Sequence, residues 1–222
     1  MQASSDQQVG CAYCGSFVDG ITKDHVFPKC LFPSEPASSR TQRITLPCCV
    51  ACNRDISLDE EHFCKVLLCA GSPNDAVMDR WKSKALRSFD RGSHGMRQAK
   101  DLLDMMRPVT VDDRERHLIY PAKEERVLRV LRKIIRGLSH HFDVETAVPE
   151  SRVWVDVLRP QIPDGLLDAC GFQHRHAGVY ECFGHAFGAE EPELTSLWLM
   201  LFYDRTPFVG LVSRCGVPTL VP

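Results

Sequence analysis

Two Cys-x-x-Cys pairs, Cys11/Cys14 and Cys49/Cys52, constrain this chain more than any other feature. Two intervening residues let a tight knuckle aim both sulfurs at one ion, and two such pairs complete a tetrahedral thiolate set. A closed site of this kind joins distant segments and contributes about 10–16 kcal/mol of apparent binding energy, enough to fold a region with little apolar core. We therefore expect a structural Zn²⁺ on Cys11, Cys14, Cys49 and Cys52. Cys48 adjoins Cys49 as a rival fourth ligand, and the competing reading of the pairs is buried or redox-active thiols.

Polar residues lie between and beyond the pairs: Lys23-Asp24-His25-Val26-Phe27-Pro28-Lys29, then Asn53 next to Cys52, then His62. The order Cys-x-x-Cys, Asp-His-x-x-Pro-Lys, Cys-x-x-Cys-Asn and a later His resembles the HNH endonuclease family over roughly the first third of the chain. The resemblance implies a ββα-metal fold tied by a zinc knuckle, with His25 as general base and Asn53 as the residue that orients it. It also implies that Asp24 and His62 hold a catalytic divalent cation, Mg²⁺ or a similar ion.

The residues themselves carry part of this. A neutral imidazole is the side chain that takes a proton from an attacking water near pH 7, which suits His25. Strand alternation places Asp24 on the opposite face from His25, so only a local twist would bring the two together. Asp59 or Glu61, in the same helical turn, competes with His62 as the second ligand. Asn53 also reads as a turn or helix cap.

The chain of 222 residues is 44% apolar, ordinary for a globular protein, and its net charge is −2. Nucleic acid must then be held by a local patch rather than by the overall field. Lys23, Lys29 and Arg54 beside the motif are candidate phosphate contacts. Arg87 and Arg91 are too, within a basic helical stretch over 80–100 that reads equally well as solvated surface. Eleven cysteines, an odd number, and an N-terminus without a basic and apolar signal region lead us to expect a cytoplasmic protein with thiolate-bound metal. No apolar run reaches membrane-spanning length. Cys30, Cys64, Cys69, Cys170, Cys182 and Cys215 read as small core residues, and the histidines at 140, 141, 174, 176 and 185 as solvated or core.

Along the chain, strands are expected at 23–27 and 44–46, with an exposed loop between. Ser57 and Glu60 match a capping box opening a helix near Leu58. Helices follow to about residue 106, interrupted at Gly92-Ser-His-Gly95, then an irregular connection or short strand pair. An amphipathic helix spans 123–141, and strands at 152–158, 177–186, 197–203 and 208–212 complete the chain. The expected class is α+β, in three parts: a zinc-braced nuclease domain over 9–72, a basic helical linker over 73–122, and a domain over 123–222 in which a helix packs on a small antiparallel sheet. The function expected is metal-dependent cleavage of DNA, with the last domain as the surface for a second copy or a protein partner. The rival is a non-catalytic zinc-braced module that binds nucleic acid or protein.

Overall fold

The computed structural model describes residues 9–18, 20–33, 43–70, 74–89, 92–111, 114–119, 124–158, 162 and 165–216. Strands β1 (Thr22–His25) and β2 (Thr45–Cys48) form an antiparallel hairpin in which His25 faces Thr45 and Thr22 faces Cys48. Helices α1 (Val50–Asp55) and α2 (Ser57–Cys69) follow. A helical run then comprises α3 (Asp75–Arg80), a π turn (Trp81–Ala85) and α4 (Leu86–Phe89), and leads to α5 (Gly92–Met105). Strands β3 (Met106–Val111) and β4 (Arg114–Ile119) pair as a ribbon ahead of α6 (Glu125–His141). The remaining strands are β5 (Val153–Val157), β6 (Phe172–His176), β7 (Tyr180–Ala186), β8 (Leu194–Phe202) and β9 (Thr206–Ser213). They make a five-stranded antiparallel sheet in the order β5-β9-β8-β7-β6. The mixture of helix and antiparallel sheet is α+β, as expected.

Helix α6 is the central element. Glu124 caps it by accepting the Val127 N–H at 3.1 Å. Its buried stripe of Val127, Val130, Leu131, Ile134, Ile135 and Leu138 packs against both α2 and the sheet. One hydrophobic core runs from Val26, Phe27 and Phe63 through α6 to Tyr180, Trp198 and Phe202. Phe27 stacks on Tyr180 with ring centroids 3.6 Å apart, and Phe63 meets Phe202 edge-on at 5.4 Å. Buried residues on both sides of the expected 122/123 boundary belong to one cluster. The motif-bearing segment and the C-terminal sheet share α6.

Local expectations fail where a tertiary contact outcompetes a local one. The capping box does not form: Ile56, the residue before α2, is itself in the helical region, so α1 runs almost directly into α2. Ser57 instead donates to the Arg54 carbonyl, and Glu60 turns to Lys133. Gly92-Ser-His-Gly95 opens α5 rather than interrupting a helix. Strand β6 had no clear signal because Gln173 and Arg175 alternate with half-buried residues on an edge strand. Cys30 and Cys64 are joined by a disulfide, Cα–Cα 6.1 Å, and are not separate core thiols. Most of the Pro- and Ser-rich stretch before β2 lies outside the described residues. Among the described residues, no helix is long and apolar enough to cross a membrane.

Packing in the sheet gives one testable consequence. A Cβ on Gly184 would overlap the ring of fully buried Trp198, with Cε3 2.6 Å and Cη2 2.9 Å away. A rigid indole held between Phe142, Phe172 and β7 cannot yield, so Gly184→Ala should lower stability by about 1–3 kcal/mol. Urea unfolding measures this, and an unchanged midpoint would contradict the packing described.

Candidate functional site

The knuckles converge as their spacing predicts. The sulfurs of Cys11, Cys14, Cys49 and Cys52 all lie within 4.8 Å of one another, forming a group able to hold a metal ion such as zinc. In the first knuckle the Gly15 N–H donates to the Cys11 carbonyl at 2.8 Å, and Gly15 adopts the left-handed φ of 71° that the turn needs. The Ala12 N–H donates to Pro47 O at 2.9 Å, pinning this knuckle to β2. In the second, Cys49 precedes α1 and its sulfur accepts the Cys52 N–H. Burial alone would raise the Cys11 thiol, but hydrogen bonds from the backbone at Cys49, Cys14 and Tyr13 hold it down to about 6. Hydrogen bonds at Ser16 lower Cys14 as well, whereas burial pushes Cys52 up, so the first knuckle favours the thiolate a metal requires and the second knuckle's Cys52 favours the thiol. Cys48 stays outside the group: its thiol donates to the Cys49 carbonyl, and burial raises its pKa.

Beside the knuckle, a cleft of about 300 Å³ is bordered by Lys23, Asp24, His25, Lys29, Cys30, Asn53, Ser57, Glu60 and Glu61. Three consecutive residues of β1 border it, with strand alternation giving them different exposure. Lys23 is exposed and His25 half-buried, whereas Asp24 between them is buried. Burial, reinforced by the Lys29 and Arg43 charges, holds the His25 imidazole below the ordinary histidine range and hence neutral near pH 7. Among the described residues, its buried Nδ1 has no hydrogen-bond partner. Asn53, on α1, donates through Nδ2 to Thr22 Oγ1 at 2.9 Å, and that hydroxyl donates to Cys48 O at 2.8 Å. Asn53 thus braces the strand that carries His25, at its start rather than at His25 itself.

Asp24 has a different set of partners from those expected. Its Oδ2 accepts the Tyr13 hydroxyl at 2.6 Å and lies 2.7 Å from Lys133 Nζ. Burial, with Asp24 beside it, raises the Tyr13 pKa strongly and keeps it a donor. Lys133 also donates to Glu60 Oε1 at 2.5 Å and to the His25 carbonyl at 3.0 Å. Burial outweighs this lysine and leaves the Glu60 carboxyl above the usual carboxylate range.

His62 does not join Asp24. It is buried on α2, is not among the residues bordering the cleft, and has Nε2 3.2 Å from Glu124 Oε2 without the alignment of a hydrogen bond. Burial, then the Arg126 charge, lowers its pKa despite Glu124. Asp59, one alternative ligand, is paired with Arg126 at 2.9 Å and Arg129 at 2.8 Å. Glu61, the other, borders the cleft and is paired with Lys65 at 2.7 Å. Among the described residues, the four cysteines are the one group of three or more Cys, His, Asp or Glu whose ligand atoms cluster within 4.8 Å.

Of the phosphate-contact candidates, Lys23 and Lys29 are exposed at the cleft, Arg54 is exposed on α1, and Arg87 is exposed on α4. Arg91 lies outside the described residues. Tyr13, Glu60 and Lys133 escaped sequence reasoning. A lysine in an amphipathic helix is expected on its charged face, but Lys133 is 5% exposed and shares a face with buried Val130 and Gly137, three residues before and four after it. No protein-family model, curated protein or solved structure matches the chain.

Proposed function

We propose that this cleft cleaves phosphodiester bonds of nucleic acid, with DNA as the expected substrate, in the manner of the HNH endonucleases that residues 11–62 resemble. The observation that carries this reading is a neutral, half-buried His25 in a cleft flanked by two exposed lysines, on a strand braced by Asn53 beside the four-cysteine group. In this reading His25 takes the proton of the attacking water, for a factor of roughly 10²–10⁴ in rate. Lys23 and Lys29 neutralise the phosphate, and Asn53 holds the strand in register through Thr22. The four cysteines fit zinc as a closed structural ion: it would tie β1 and β2 to α1 and take no part in the chemistry. The catalytic divalent ion expected on Asp24 and His62 does not fit these residues, one paired with Lys133 and Tyr13 and the other turned to Glu124, so no step is assigned to it.

The same ion pair supports a second reading, a zinc-braced module that binds nucleic acid without cutting it, since Asp24 is committed to structure. Incubating the purified chain with supercoiled plasmid separates the two: nicked or linear product that depends on His25 supports the first. Both readings share a basic contact surface. Arg87→Ala is expected to weaken DNA binding alike on unrelated sequences and to flatten the dependence of log affinity on log salt by about one unit. An unchanged slope would return Arg87 to solvated surface.

A further inference from the structure

We propose that Lys133 is a built-in cation behind the wall of this cleft: its ammonium takes the position between Asp24 and Glu60 that a divalent ion would need, so that this carboxylate pair holds no such ion. The inference rests on the cleft described above, but not on its cleaving anything. The Lys133 ammonium donates to Glu60 Oε1 at 2.5 Å and to the His25 carbonyl at 3.0 Å, and it is ion-paired with Asp24 Oδ2 at 2.7 Å. Solvent barely reaches the pair: Lys133 and Asp24 are only 5% and 6% exposed. The third carboxylate at the cleft, Glu61, has its own ammonium in Lys65 at 2.7 Å.

The helix that carries this ammonium is held close against the hairpin and the first knuckle. Helix α6 approaches β1 and the first knuckle so closely at Gly137 that a Cβ there would lie 2.9 Å from Val26 Cγ2 and 3.2 Å from the Tyr13 hydroxyl. Arg136 fastens the next part of the same helix, donating to Val148 O at 2.6 Å and also to the Tyr13 carbonyl. Tyr13 in turn donates to Asp24, so the zinc-binding knuckle, the strand bearing His25 and α6 meet at one buried charge cluster. A divalent ion would have to displace an ammonium anchored by the core of the protein, whereas an ion in an open site displaces only water.

The test is a Mn²⁺ titration of the full, zinc-loaded chain followed by loss of amide NMR signals. In the wild type, the amides of Asp24, His25 and Glu60 are expected to keep their intensity at millimolar Mn²⁺ as well as a remote strand residue such as Leu199. Preferential broadening of those amides would overturn the proposal. Lys133→Ala leaves both carboxylates without their cation and is expected to gain one Mn²⁺ site that broadens the same signals. Adding Asp24→Asn to it should abolish that site. A folded Lys133→Ala protein that gains no Mn²⁺ site would also overturn the proposal, and if that variant does not fold, the wild-type titration decides alone. Cleavage enters neither arm, so a chain that behaves as stated here and cuts no plasmid contradicts the nuclease reading and leaves this one standing.

Discussion

Cys49→Ser is expected to lose both its bound metal and its native fold. The four sulfurs lie within 4.8 Å of one another, and Cys49 serves twice, as a candidate ligand and as the residue whose sulfur accepts the first-turn Cys52 N–H of α1. A structural zinc thiolate site contributes about 10–16 kcal/mol of apparent binding energy, comparable to the whole stability of a typical domain, about 5–15 kcal/mol. Around it the small cluster of Cys11, Tyr13, Cys48 and Cys49 buries little apolar surface. Cys48→Ser is the matched comparison: it lies one residue away, is fully buried, and stays outside the ligand group. It should cost no more than a typical core substitution, about 1 kcal/mol, and keep the metal. Metal analysis of protein purified without added zinc, together with far-ultraviolet circular dichroism, reads both outcomes. A well-folded, metal-free Cys49→Ser protein would contradict the account of the knuckle.

What the sequence made legible is what depends on short-range spacing. The Cys-x-x-Cys pairs predicted their own convergence because two intervening residues geometrically restrict where both sulfurs point. The apolar stripe of α6 predicted a buried helix, and alternation in Lys23-Asp24-His25 predicted opposite faces for Asp24 and His25. What stayed hidden depends on long-range partners. His62 sits at the edge of the α2 stripe, and only the placement of Glu124 at the start of α6 settles which way it turns. Lys133 read as surface because lysine is so rarely buried, and its burial becomes intelligible only once Asp24 and Glu60 stand opposite it. The same holds for the Cys30–Cys64 bridge, between a short turn at Lys29–Leu31 and α2, which no local spacing announces.

His25→Ala carries the largest expected effect on activity. The imidazole is neutral near pH 7 and half-buried at the cleft, and the neighbouring ionisable groups cannot take its place as proton acceptor: Asp24 and Glu60 are tied to Lys133 and Glu61 to Lys65. Its loss should lower the single-turnover rate by roughly 10²–10⁴. The truncation removes a half-buried ring and leaves the hairpin register, the four cysteines and the Lys133 cluster in place, so the variant should stay folded. His62→Ala provides the contrast. Because His62 faces Glu124 and lies outside the residues that border the cleft, its removal should leave the rate within a few-fold of the wild type provided the helix stays packed.

The most direct measurement is therefore single-turnover cleavage of supercoiled plasmid by the zinc-loaded wild type, His25→Ala and His62→Ala, with folding of each checked beforehand. The account predicts cleavage by the wild type and by His62→Ala and its loss in His25→Ala; cleavage by folded His25→Ala at the wild-type rate, or no cleavage by the wild type itself, would contradict it.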